Sequence, residues 1–162
     1  MEYLFVLGRI IYGGYFLKAG INHFQSLAML SGYAGMKGVP APKLAVMLSG
    51  TLIIVGGLSV LLGAAPTIGL GCIILFLVPV SLMMHTFWSD TDPMTKLNNQ
   101  INFEKNFALA GAALMMLMMP QPWSMSLRDG AVAIALLAWS FTCGGAAQQA
   151  RLRRRWSRKM RP

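Results

Sequence analysis

Residues 85–106 read His-Thr-Phe-Trp-Ser-Asp-Thr-Asp-Pro-Met-Thr-Lys-Leu-Asn-Asn-Gln-Ile-Asn-Phe-Glu-Lys-Asn. They hold three of the five acidic residues (Asp90, Asp92 and Glu104) and one of the two histidines. Imidazole, carboxylate, ammonium and indole groups so close together suit hydrogen bonding to a small polar group, or proton handling. On either side the chain is without charge: there is no Asp, Glu, Lys or Arg in residues 44–89 or in residues 106–127. A polar, asparagine-rich hinge between two such runs is where water-facing chemistry can occur in an otherwise apolar protein.

The elements that must position this hinge are set by composition. The chain is 56% apolar and 12% charged, against about 25% charged in soluble domains. It contains several uncharged apolar runs longer than the roughly 18 residues that mark a membrane span. An all-α integral membrane bundle follows, and 162 residues leave no room for a second domain. Spans are expected over residues 3–21, 44–62, 67–86 and 103–120, with a fifth over 130–150. Residues 24–42, with Gly32, Gly35, Gly38, Pro40 and Pro42, read as a loop. Gly63-Ala64-Ala65-Pro66 is a short reversal, which makes the second and third spans antiparallel neighbours. Arg9, inside the first span, is expected to snorkel to the nearer interface.

Residues 1–129 thus form a four-span core, 130–150 a fifth helix and 151–162 a tail. Seven of the fourteen basic residues lie in that tail: Arg151, Arg153, Arg154, Arg155, Arg158, Lys159 and Arg161. Without them the net charge falls from +9 to +2, which argues against nucleic acid as a partner. With five spans, Lys37, Lys43, Lys96, Lys105 and the tail share one face, and Arg128 alone marks the other. The positive-inside rule then places the tail in the cytoplasm of a bacterial inner membrane, where it contacts anionic lipid or a partner subunit. Cys72 and Cys143 lie far apart in apolar runs with no Cys-x-x-Cys, so neither a dithiol centre nor covalent haem attachment is indicated. The methionine-rich run near residue 115 has no His or Cys beside it, and no metal site is expected. Glu2 and Arg9 flank a first run without a convincing cleavage site, so that run is kept as a span.

Span parity puts the end of span one, the end of span three and the start of span four at one membrane face. Lys18, Asn22, His23, His85, Trp88, Asp90, Asp92, Glu104, Lys105 and Asn106 then converge at one depth. Ionisable groups at that depth are candidates for function; the alternative is a solvated interfacial belt anchored by Trp88. Lys105 is expected to pair with Asp90 or Asp92, since Glu104 points about 100° away on a helix.

These residues also carry a resemblance. Gly8-Arg9, Phe-Leu-Lys-Ala-Gly-Ile-Asn-His-Phe at 16–24, Gly-Val-Pro-Ala-Pro at 38–42 and Gly56-Gly57 are its first pieces. His-Thr-Phe-Trp at 85–88, Asn-Phe-Glu-Lys-Asn-Phe-Ala-Leu-Ala-Gly at 102–111 and Ser-Leu-Arg-Asp at 126–129 complete it. Together they resemble the DoxX family of small bacterial membrane proteins, related to the DoxD-like subunit of thiosulfate:quinone oxidoreductase, over residues 4–129. The resemblance implies a four-helix membrane bundle tied to redox partners. Family members commonly carry an acidic residue three positions before the paired small residues of the second span. Here that position is Ile53, which weakens a proton-transfer role inside the bundle.

Two functions compete. One is a structural or assembly subunit of a redox or energy-converting membrane complex, accessory rather than catalytic, for which the glycine-rich spans and appended helix suit packing against other subunits. The other is a quinone-binding subunit, in which His85, Lys105 and Trp88 donate to the ring carbonyls. Haem held between His23 and His85 is a geometric third, disfavoured because a lone histidine near an interface is more often simply hydrogen-bonded.

Overall fold

The structure, a computed structural model, describes residues 2–127. Residues up to Ser124 belong to one compact unit; beyond it only residues 125–127 are described. The expected fifth span and the basic tail therefore lie outside the described residues.

Five α-helices and one 3-10 turn make up the described chain: α1 (Glu2–Gln25), α2 (Leu27–Met36), α3 (Pro42–Leu62), α4 (Pro66–Met84), the turn (Phe87–Ser89) and α5 (Pro93–Leu117). Of these, α1, α3 and α4 are long and apolar enough to cross a membrane. Large apolar side chains cover the outside, with Tyr3, Ile11, Leu75 and Met115 among the exposed ones. Among lipid tails such a surface carries no penalty.

Two elements differ from the sequence expectation. Residues 24–42 are mostly helix: α2 runs through Gly32 and packs on α3, with Ala34 buried. The last described helix starts at Pro93, ten residues earlier than the apolar run suggested. Asp92 caps it, its carboxylate accepting from the Thr95 amide at 2.7 Å, and Pro93 takes the first helical position, where its missing N–H costs nothing.

In the bundle α3 packs between α1 and α4, and α4 between α3 and α5. The α1–α3 crossing is backbone on backbone. A Cβ on Gly13 would lie 2.7 Å from the Gly57 carbonyl oxygen, and one on Gly57 would lie 2.7 Å from the Leu17 nitrogen. Only glycine permits that approach, which lipid-embedded helices use because dispersion, not hydrophobic burial, must hold them together. Tyr12 closes the ring of helices by donating to the Leu109 carbonyl at 2.8 Å. Phe16, Ile53, Val60, Leu70, Ile73, Leu77, Ala110, Ala113 and Trp123 form the core. Ile53 is fully buried there, so the level of the second span three residues before Gly56 is apolar.

The α3–α4 reversal closes as the sequence indicates. Gly63 (φ +66°) ends α3 in the left-handed region, and the Ser59 hydroxyl donates to the Ala64 and Ala65 carbonyls at 2.6 and 2.9 Å. At this end Arg9 does not snorkel. It is buried, its Nε donating to Val60 O at 3.1 Å and its Nη atoms to Leu61 O at 3.0 Å and Ser124 O at 2.9 Å. Two of those carbonyls belong to the last turn of α3, where helical partners run out and the negative end of the helix dipole favours a cation. The Phe5 and Trp123 rings lie 5.8 and 5.7 Å from the guanidinium carbon.

Candidate functional site

The opposite end of the bundle gathers the ends of α1 and α4, all of α2 and the start of α5. A cavity of about 460 Å³ lies there, lined mainly by apolar side chains such as Phe16, Leu52, Phe76, Leu77 and Val80. That volume falls in the roughly 300–1,000 Å³ range of ligand pockets. Residues 30, 33, 34 and 39, from α2 and the segment after it, form one wall. Leu48, Leu75 and Met83 line the cavity yet remain 58%, 62% and 43% exposed, so it opens on the apolar flank of α3 and α4.

Three of the residues expected to converge meet in this cavity: His23 from α1, His85 at the end of α4 and Asn106 from α5. The Nδ1 of His23 lies 2.8 Å from the Ala19 carbonyl one turn earlier, so that nitrogen carries the proton and donates. The ring also meets the Phe76 ring edge-on, with centroids 5.7 Å apart.

At His85 the proton's position follows from a chain of partners. Asp90 accepts from Nδ2 of Asn99 at 2.7 Å, which turns the Asn99 carbonyl oxygen towards Nδ1 of His85 at 3.3 Å. A carboxylate can only accept, so the amide orientation is fixed and His85 Nδ1 donates. The chain continues outward: the other Asp90 oxygen pairs with Lys37 Nζ at 3.6 Å, and Lys37 also reaches the Thr86 hydroxyl at 3.5 Å. Asn99 is 6% exposed, and this network is what satisfies it.

Asn106 is different. It is 7% exposed and lines the cavity, and its carboxamide meets no partner among the described residues. Its polar atoms keep access to the cavity: among the described residues the side-chain polar atom that is fully buried without a partner is Nε1 of Trp123. Ser49, also in the lining, spends its proton on the Val46 carbonyl at 3.0 Å.

The other expected residues lie outside the cavity lining. Lys105 is exposed and donates to Asn102 Oδ1 at 2.7 Å, so its partner is neither Asp90 nor Asp92; Asp90 takes Lys37 instead. Glu104 accepts from Gln100 at 2.9 Å on its own helix. Asp92 serves as the cap of α5, and the Thr95 hydroxyl, then the Thr95 amide, holds its carboxyl below the ordinary value of 3.8. Trp88 is exposed in an aromatic group, edge-on to Phe87 and Phe103 at 5.2 and 5.9 Å. Lys18 and Asn22 are exposed on α1. Sequence reasoning missed Lys37 and Asn99. Asn99 stood in the asparagine-rich segment already singled out, but Lys37 had no signal while α2 was read as loop.

An all-helical bundle with apolar flanks is a membrane protein, here with a cavity open to one flank. The chain belongs to the DoxX family, whose sequence model matches residues 4–86. The matched stretch holds His23, Lys37 and His85 and ends before Trp88, Asn99 and Asn106. No curated protein and no solved structure matches the chain.

Proposed function

We propose that this DoxX-family membrane protein binds a lipid-soluble quinone-type ring in the cavity beside His23, His85 and Asn106, as a binding subunit of a redox membrane complex. The observation that carries this reading is the Asn106 carboxamide, nine-tenths buried without a described partner at the edge of an apolar cavity. That amide makes no bond within the described residues and its polar atoms are reachable from the cavity, where a ring bearing polar oxygens would bond it. The cavity's opening on the apolar flank suits a ligand that arrives through lipid. His85 stays in this reading as a polar contact, and Asn106 and His23 take the places expected for Lys105 and Trp88. The ligand supplies the redox chemistry; the chain's residues bind its polar oxygens and enclose its ring away from water.

Asn106→Leu separates binding from folding. It replaces an unsatisfied amide with a side chain of similar size, so the purified variant should melt no lower than the wild type. Its affinity for a short-chain benzoquinone analogue in detergent should fall about tenfold or more. Unchanged affinity would contradict the proposal.

A further inference from the structure

We infer that the cavity prefers the reduced, hydroxyl-bearing form of its ligand, a hydroquinone, over the oxidised dione. This rests on the binding reading above and adds the direction of its hydrogen bonds.

The polarity follows from what the two imidazoles have already done with their protons. His23 spends its Nδ1 proton on the Ala19 carbonyl, and His85 spends its own on Asn99, whose orientation Asp90 fixes. Neutral imidazole has one N–H, so each ring is left with a bare lone pair at Nε2. No described residue meets either Nε2, and both histidines line the cavity. Ser49 has likewise given its proton to Val46. The tyrosine hydroxyls of the lining, Tyr15 and Tyr33, can donate or accept and do not discriminate. The Asn106 amide offers one donor group and one acceptor. Acceptors therefore outnumber committed donors. A dione has only acceptors to offer, and against both imidazoles and Ser49 it would set lone pair against lone pair. A hydroquinone has two hydroxyls, each able to donate to an imidazole nitrogen. Fixed polar groups left without partners by the wrong ligand are the physical basis of such selectivity.

Three decyl-chain ligands decide the matter on the purified full chain in detergent: the benzoquinone, its hydroquinone and the hydroquinone's dimethyl ether. Equilibrium dialysis is run anaerobically at pH 8, well above the ordinary imidazole value of about 6.5. The ether keeps the shape and removes both donors. The hydroquinone should bind at least about tenfold tighter than either of the others. His23→Phe and His85→Phe should each shrink that ratio to about threefold or less. The wild-type ligand series decides even if a variant fails to fold. Dione binding equal to or tighter than hydroquinone binding overturns this inference and leaves the quinone-site reading standing. No binding of any of the three overturns both.

Discussion

At the scale of single residues, the described chain places its two most informative polar side chains at opposite ends of the bundle. Asn106 is buried and unpartnered; Arg9 is buried and bonded to three carbonyls. On the proposed reading, Asn106 serves a ligand and Arg9 serves the fold. Arg9→Leu strips Leu61 of its partner at the end of α3 and leaves Val60 only the Gly63 amide, and hydrogen bonds to a charged group are worth about 1.5–3 kcal/mol. The variant should lose about 2–4 kcal/mol of stability in a reversible detergent or denaturant melt while keeping its ligand affinity once folded. Arg9→Lys retains the charge but not the guanidinium fork, and should fall between. A stable Arg9→Leu variant would contradict the capping role. Sequence alone gave Arg9 only its depth in a span; that the end of α3 comes to meet it depends on tertiary packing.

At the scale of elements, α2 is the helix that closes one side of the cavity. It is short, it rests on α3, and its far end is tied down by Lys37 to Asp90 and Thr86. The same Asp90 orients Asn99 and, through it, His85, so closing α2 and setting the imidazole are one network. The Lys37–Asp90 pair is partly exposed, and such pairs contribute at most about 1 kcal/mol. Lys37→Met should therefore leave the melting temperature nearly unchanged while amide exchange across residues 27–36 rises and bound ligand dissociates faster. Unaltered exchange in α2 would show that the packing on α3 alone holds it. This helix was hidden in the sequence because Gly32, Gly35 and Gly38 mimic a loop. The early start of α5 was legible in Asp92-Pro93, a cap followed by a first-turn proline, but hydropathy drew attention to the apolar run ten residues later. The α3–α4 reversal at Gly63 to Pro66 was plain, because glycine and proline there admit little else.

For the whole molecule, composition was enough to give an all-helical membrane bundle, and span parity was enough to bring His23, His85 and Asn106 to one end. Parity sets depth but not facing, which is why Lys105, Glu104 and Trp88 shared the level without sharing the cavity. The basic residues argue for an orientation with the N-terminus outside and residues 151–162 in the cytoplasm, which would set the cavity at the cytoplasmic side. Reporter fusions at Met1 and Pro162 should give opposite sides; the same side for both would remove the fifth span from the topology.

The central claim, that the cavity at the α2 end holds a quinone-type ring, is tested most directly by photoaffinity labelling of the purified full chain with an azidoquinone, followed by peptide mapping. Label should fall on the peptides carrying residues 15–23 and 75–85, which line the cavity from α1 and α4. Excess unlabelled hydroquinone should suppress it. Label spread over the exposed flanks, or concentrated around Arg9 and unaffected by competitor, would contradict the account.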